Sequence, residues 1–376
     1  MVVIRLATFN VENMFERPKV MNLPKWSQGV KALEDYTKLN LLINKPAYSA
    51  ADKTTIVDLL KKNGIDRDDD GPNLVLRKIR GTFLKRPKLK AQPVTVVANG
   101  RGDWVGWVDL QREVIREIAT ENAARVFKEV GAHVMAVVEA ENRIALQRFN
   151  DQLLPYVGGG KYDNVMVVDG NDDRGIDVGL MCRGPCGIAS LQSHVDDRDK
   201  KGNRIFSRDC PEYEVDYGGN GRLWILVNHL KSKGYGPQPE SDARRKVQAK
   251  RVREIYESHR KAEHKYVAIV GDFNDYPGHD PLSPLLSAGS DLKDVSQHPK
   301  FVGDGRPGTY GNGTESDKID YILLSPGLFA KVQGGGVMRK GVWGGKKGDL
   351  WPHFPEMKKE IDAASDHAAL WANLKV

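Results

Sequence analysis

Short apolar runs that stop at an amide, an acid or a histidine constrain the fold of this chain more than any bulk property. TFNVEN carries Asn10 at the tip of the run from Ile4, and HVMAVVEAEN places Glu139 after an apolar stretch, with Glu141 at the same parity. LVNHLKSK ends in His229 and Lys231, and VAIVGDFND ends in Asp272 and Asn274. KIDYILLS holds Asp320 inside an apolar run, and SDH sets Asp366 and His367 just ahead of AALWANL. Alternate residues of a strand share a face, so Asp272 and Asn274 are expected to converge at one strand end. At least five strand ends thus carry polar groups that a purely structural strand does not need. Burying so many ionisable groups unpaired would be costly. A shared cation would neutralise the carboxylates, and an all-oxygen set of Asp and Glu suits a hard one, Mg²⁺ or Mn²⁺.

Between these runs lie helical periodicities. Helices are expected near Val30 to Leu42 and Ala50 to Lys62, over residues 111 to 130 with Gly131 as the stop, and over Asp242 to Glu263. DNVMVVD, GIDVGLMC, LWILVNHL and KIDYILLS read as further strands. Many short strands with few helices point to an α/β sandwich and not to a doubly wound parallel sheet. Residues 93 to 110 read as a hairpin turning at NGRG, and 334 to 348 as a Gly- and Lys-rich loop. IDRDDDG opens like a calcium loop with Asp66, Asp68, Asp70 and Gly71. Arg77 stands where that loop needs a bidentate Glu, so the stretch is read as an Asp-rich turn.

The chain of 376 residues is long enough for a large core. No stretch approaches the ~18 to 20 apolar residues of a membrane helix. Met1 to Phe9 lacks the charged region and cleavage site of a signal peptide, which leaves a cytoplasmic protein and a mature secreted form both open. Cys182, Cys186 and Cys210, with no CxxC, argue against a disulfide framework or a zinc site. The net charge of +7 is unevenly placed. Residues 77 to 90 hold seven basic residues and no acid, and 331 to 347 hold Lys331, Arg339, Lys340, Lys346 and Lys347 with no acid. Such stretches suit a polyanion, and Trp104, Trp107, Trp343 and Trp351 beside them are candidates to stack on bases.

TFNVEN, VVEAEN, RGIDVGL, NHLKSK, GDFND, KIDYILLS and SDH together resemble the successive motifs of the endonuclease/exonuclease/phosphatase (DNase I-like) superfamily. They run in that superfamily's order over residues 8 to 372, in a flavour similar to bacterial extracellular-type nucleases. The resemblance implies a four-layered α/β sandwich, with two mixed β-sheets packed face to face and helices outside. It implies one domain spanning 1–376, elaborated at about 16–109. Glu139 would be the principal metal ligand, with Asn10 and Asp366 near the metal. Asp272 and Asn274 would position the attacking water and the scissile phosphate. His229 and His367 would bind or protonate phosphate oxygens, and Asp320 would orient His367. Asn10, Arg208, Lys231 and Asp177 would meet the substrate. One departure is Val137 and Val138 ahead of Glu139, where relatives usually carry Leu and Gln.

The expected activity is metal-dependent hydrolysis of the nucleic-acid backbone, DNA above all, with Mg²⁺ or Mn²⁺ as cofactor and no membrane span. A phosphatase of phosphoinositides or other small phosphoesters is the alternative on the same fold. A catalytically inactive nucleic-acid-binding module would be expected to lack one of Glu139, Asp272, Asp320 or His367, and all four are present. Whether Asp272 or a histidine takes the water's proton stays open at this level, as does endonuclease against exonuclease.

Overall fold

Strand Val3–Asn10 runs parallel to Val134–Ala140 at the middle of a six-stranded sheet in this computed structural model. The sheet's order is Val332–Met338, Ala369–Lys375, Val3–Asn10, Val134–Ala140, Asp177–Cys182, Asn164–Val168. A second six-stranded sheet runs Gly187–Gln192, Glu212–Asp216, Arg222–His229, Val267–Asp272, Asp320–Leu324, Lys293–Asp294. Its one parallel pair is Arg222–His229 with Val267–Asp272, so both sheets are mixed. The structure describes every residue except Met1, Asn13, Pro24, Lys25, 234–236 and Ala288, and the side chains of Asn22, Trp26 and Ser27.

Strand alternation builds the layers. Val134, Ala136 and Val138 join Ile225, Val227, Ala268 and Val270 in an apolar core between the sheets. Met135 and Val137 face the other way, beneath Ala123, Val126 and Phe127 of helix Glu117–Val130. Ile269 and Leu323 of the second sheet pack under Val252, Ile255 and Tyr256 of helix Gln238–Lys261. Helix, sheet, sheet and helix make the four layers expected from the sequence. Helix Glu117–Val130 ends at Gly131, whose φ of 60° opens the left-handed turn that only glycine adopts at no steric cost.

The chain divides into two compact units: Met1–Phe15 with Ile115–Lys233 and Pro237–Val376, and a second built on Glu16–Val114. The second has its own apolar core, including Leu33, Leu39, Ile56, Leu60, Leu76, Phe83 and Trp104. Its helices are Trp26–Ile43 and Ala50–Lys62, the latter started by a Ser49–Asp52 capping box.

Three expectations need correction. Residues 93 to 110 form no single hairpin: Thr95–Val96 pairs with Leu84–Lys85, while Trp104–Leu110 pairs with Leu74–Gly81. The NGRG stretch runs into a 3₁₀ turn at Arg101–Asp103. The helix expected from residue 111 starts at Glu117, because Arg112–Val114 pairs with Glu16–Pro18. The glycines at 334 to 336 belong to edge strand Val332–Met338, where a Cβ on Gly335 would come within 2.7 Å of the Phe301 ring. The three cysteines are buried and free, as read from their spacing.

Candidate active site

Sheet register brings the acids together. In the second sheet His229 stands opposite Asp272, and Asp272 opposite Asp320, so the three share one row across adjacent strands. Paired Cβ atoms in such a row lie ~5 Å apart, within reach of short side chains. Asn10, at the tip of the first sheet's Val3–Asn10, donates its Nδ2–H to Asp272 Oδ2 at 3.2 Å. Asn274 wraps round the same carboxylate: its backbone N–H donates to Oδ1 at 2.7 Å and its Nδ2–H to Oδ2 at 3.1 Å. Their convergence is not the strand alternation read from the sequence. The strand ends at Asp272, and Asn274 takes a φ of 54° in an Asx turn.

Glu139 reaches the site through a bulge. Asp177 pairs with Ala140 and Val178 with Val138, which leaves Glu139 the extra residue, at a φ of 66°. Such a residue re-aims its side chain, as bulges beside functional sites commonly do. Its Oε1 lies 3.6 Å from His229 Nε2, and Asp272 Oδ2 lies 3.6 Å from that same nitrogen. Glu141, equal in parity, goes elsewhere and accepts from the backbone N–H groups of Met14 and Phe15 at 3.0 and 2.6 Å.

His367 comes from the turn before the last strand. Its Nδ1 lies 2.8 Å from Asp320 Oδ2, its Nε2 3.9 Å from Asp272 Oδ2 and 3.7 Å from Asp366 Oδ1. Thr309 donates its hydroxyl to Asp320 Oδ2 at 2.6 Å and so helps fix the carboxylate that fixes the ring. Asp272, Asp320 and His367 are all buried, with one ligand atom from each within 4.8 Å of the others. Asp366 is about half exposed, with 47% of its side-chain surface open.

These surroundings set the charges. Burial pushes Asp272 up to about 7, and repulsion from Asp320 and Glu139 adds to it, against the pull of His367 and the Asn274 N–H. Burial would lower His367, but Asp320 and Asp366 hold it well above the usual histidine range, as an imidazolium. His229 goes the other way. Burial, with repulsion from Arg208 and Arg174, keeps it well below that range and neutral.

Arg208 is fully buried, and its Nε lies 3.0 Å from Asp172 Oδ2. Asp172 also takes Arg174 through both oxygens, at 2.9 and 2.7 Å. Burial, with repulsion from Arg208 and Arg174, pushes Lys231 down to about 7. Asp177 accepts the Gly170 N–H at 2.7 Å, and burial pushes it up to about 7. Sequence reading missed Asp172, Arg174 and Thr309. Arg174 stands in the quoted RGIDVGL, whereas Thr309 lies in a GTYG turn that carries no chemical signature.

The basic stretch at 331–347 is partly engaged within the protein. Arg339 pairs with Asp304 at 2.5 Å, its guanidinium lying over the Trp351 ring, and Lys340 pairs with Glu129 at 2.8 Å. Trp343 stacks on His353, and Trp351 donates to Val342 O at 3.0 Å, so both indoles have intramolecular partners.

Comparison with known proteins agrees with this architecture. An endonuclease/exonuclease/phosphatase from Bacteroides vulgatus superposes with a TM-score of 0.50 at 14% identity, over 69% of this chain and 91% of that one. An endonuclease/exonuclease/phosphatase family protein from Bacteroides thetaiotaomicron gives 0.50 at 18% identity, over 68% and 86%. Both likenesses are of fold. No curated protein matches the sequence. The sequence model of the Endonuclease/Exonuclease/phosphatase family matches residues 109–334, more than half of the chain. The chain therefore belongs to the Endonuclease/Exonuclease/phosphatase family, a family of phosphoester hydrolases.

Proposed function

We propose that this protein hydrolyses phosphodiester bonds of the nucleic-acid backbone, DNA above all, by in-line attack of a water that Asp272 deprotonates. The observation that carries the reading is the surroundings of Asp272 Oδ2. Two amides donate to it, from Asn10 and Asn274, and two imidazoles of opposite charge state face it, from His229 and His367. A carboxylate poised near 7 is matched to accept a proton at neutral pH, which favours Asp272 over either histidine as base. Neutral His229 is a donor for a phosphate oxygen. The His367 imidazolium, held by Asp320, opposes the charge that grows on the phosphate. Arg208 acts on the site's field through its charge, since its guanidinium is buried against Asp172, and Lys231 and Asp177 contribute to holding the substrate.

The donors fit a divalent cation. Glu139 stands in a left-handed bulge beside His229, Asn10 lies against Asp272 and Asp366 against His367, and together they offer the oxygen donors that suit Mg²⁺ or Mn²⁺. Glu139, Asn10 and Asp366 would hold that ion. Once bound, it would offset negative charge on the phosphate. The segment at about 16–109 is then an elaboration of one catalytic domain. The test is nicking of supercoiled plasmid with Mg²⁺ or Mn²⁺ and its arrest by EDTA. Hydrolysis of inositol phosphates beside intact plasmid would hand the site to the phosphatase reading.

A further inference from the structure

We propose that the Glu16–Val114 unit carries a second nucleic-acid surface, a stacking platform for a single strand centred on Trp107. The unit stands out first by charge. The whole chain has 57 basic and 50 acidic residues, and 16–114 holds 19 and 12 of them, which leaves 38 of each elsewhere. The protein's entire net charge of +7 thus resides in this unit.

Its geometry gives that charge a place. Strand Trp104–Leu110 pairs with Leu74–Gly81, and alternation sends Trp104, Val108 and Leu110 into the unit's core. Val105 and Trp107 point outward, 47% and 43% exposed, and Ile79 on the paired strand is 66% exposed. Trp107, Val105 and Ile79 thus make three exposed apolar side chains on one two-stranded ribbon. This ring is also fixed. Its Nε1–H donates to Asp109 Oδ1 at 2.8 Å, and Asp109 Oδ2 accepts from Arg77 Nε at 3.1 Å. Arg77 is the cross-strand neighbour of Trp107, so one carboxylate holds both the indole and the guanidinium beside it.

Arg77 stands beside the ring, Arg80 is opposite Val105 on the same ribbon, and further cations lie elsewhere on the unit. Arg77, Lys78 and Arg86 pair with Asp109 or Asp69. Arg80, Lys85, Lys88 and Lys90 are exposed, and none pairs with a carboxylate among the described residues. The segment bearing the last three is anchored from below. Arg67 donates to the carbonyls of Pro87, Lys90 and Gln92, and Arg86 to those of Ile65, Asp66 and Asp68. A preordered indole on a unit that carries unpaired, exposed cations is complementary to unstacked bases on a phosphate chain. A duplex keeps its base faces covered and offers the indole nothing to stack on.

The inference takes its polyanion from the nucleic-acid reading above, but its test measures binding, so the two stand or fall separately. Full-length protein in EDTA is titrated into a fluorescein-labelled oligothymidylate of about 15 nucleotides, read by anisotropy. Trp107→Ala should bind about ten-fold more weakly, the size of one lost base stack. Arg80→Glu with Lys88→Glu should flatten the slope of log affinity against log salt by about 1.5. Both changes lie on the exposed surface, and an unchanged thermal melt confirms the fold. Equal affinity of wild type and Trp107→Ala overturns the proposal, as does equal competition by a blunt duplex of the same length. A sedimenting dimer that Trp107→Ala dissolves overturns it as well, because a second copy would then be the occupant.

Discussion

His367 Nδ1 lies 2.8 Å from Asp320 Oδ2, and that contact sets both the orientation of the ring and its charge. Asp320→Asn should lower phosphodiester hydrolysis on the order of 100-fold. The sign of the accompanying pH effect follows from His367 being raised by Asp320 and Asp366. The imidazolium is lost as pH rises through the folded value, and removing Asp320 lowers that value. The alkaline limb of the rate profile should therefore move to lower pH in Asp320→Asn. An unmoved limb would mean that His367 does not act as a cation.

Thr309 acts through Asp320 by the 2.6 Å hydroxyl contact. Thr309→Val should reduce kcat about ten-fold, the scale of a neighbour's contribution to an oriented ring, with KM little changed. The alkaline limb should move far less than in Asp320→Asn, because the Asp320 carboxylate keeps its charge. Thr309→Ser, which keeps the hydroxyl, should restore the rate.

At Glu139 a left-handed backbone, φ 66°, is imposed on a residue that carries a side chain. Glycine tolerates that conformation, while alanine pays about 1 kcal/mol for it. Glu139→Gly should be more stable than Glu139→Ala by that amount in urea titration, and both should be inactive. Retained activity in either would remove Glu139 from the site. Equal stability would count against strain in the bulge.

Glu212 is bridged by short contacts from His194 and His259, linking strand Glu212–Asp216 to helix Gln238–Lys261. Burial would raise Glu212, but hydrogen bonds from the two histidines hold it down at about 2. Burial would lower His194, but Glu212 and Asp197 raise it. Glu212 thus contributes stability above its unfolded value that is lost as pH falls toward 2. His194 contributes below its unfolded value of about 6.5 and loses its contribution as pH rises through its folded value. The pair is strongest between those limits. Glu212→Gln should cost about 3 kcal/mol near pH 6, and the deficit should narrow at alkaline pH. A deficit constant with pH would show that the cluster is held by packing alone.

Much of the candidate site was legible because its residues close apolar runs. Asn10, Glu139, His229, Asp272 and Asp320 all stand on or beside strand ends, and the second sheet's register aligns the last three. Parity failed at Glu139, because a bulge is a property of the pairing and not of one strand. It failed again at Glu141, which is equal in pattern to Glu139 but engaged by the backbone of residues 14 and 15. The helix start at 117 and the split hairpin at 93–110 were misread for a related reason. Their strands pair with distant segments, and local periodicity does not report partners. Asp172 was invisible until the fold set it between two arginines.

The most direct test of Asp272 as the centre of a nuclease site is plasmid nicking by wild type and Asp272→Asn side by side, with Mg²⁺ or Mn²⁺ present. Wild type should nick, EDTA should stop it, and Asp272→Asn should be slower by at least about 100-fold. Equal nicking by the two proteins would contradict the assignment.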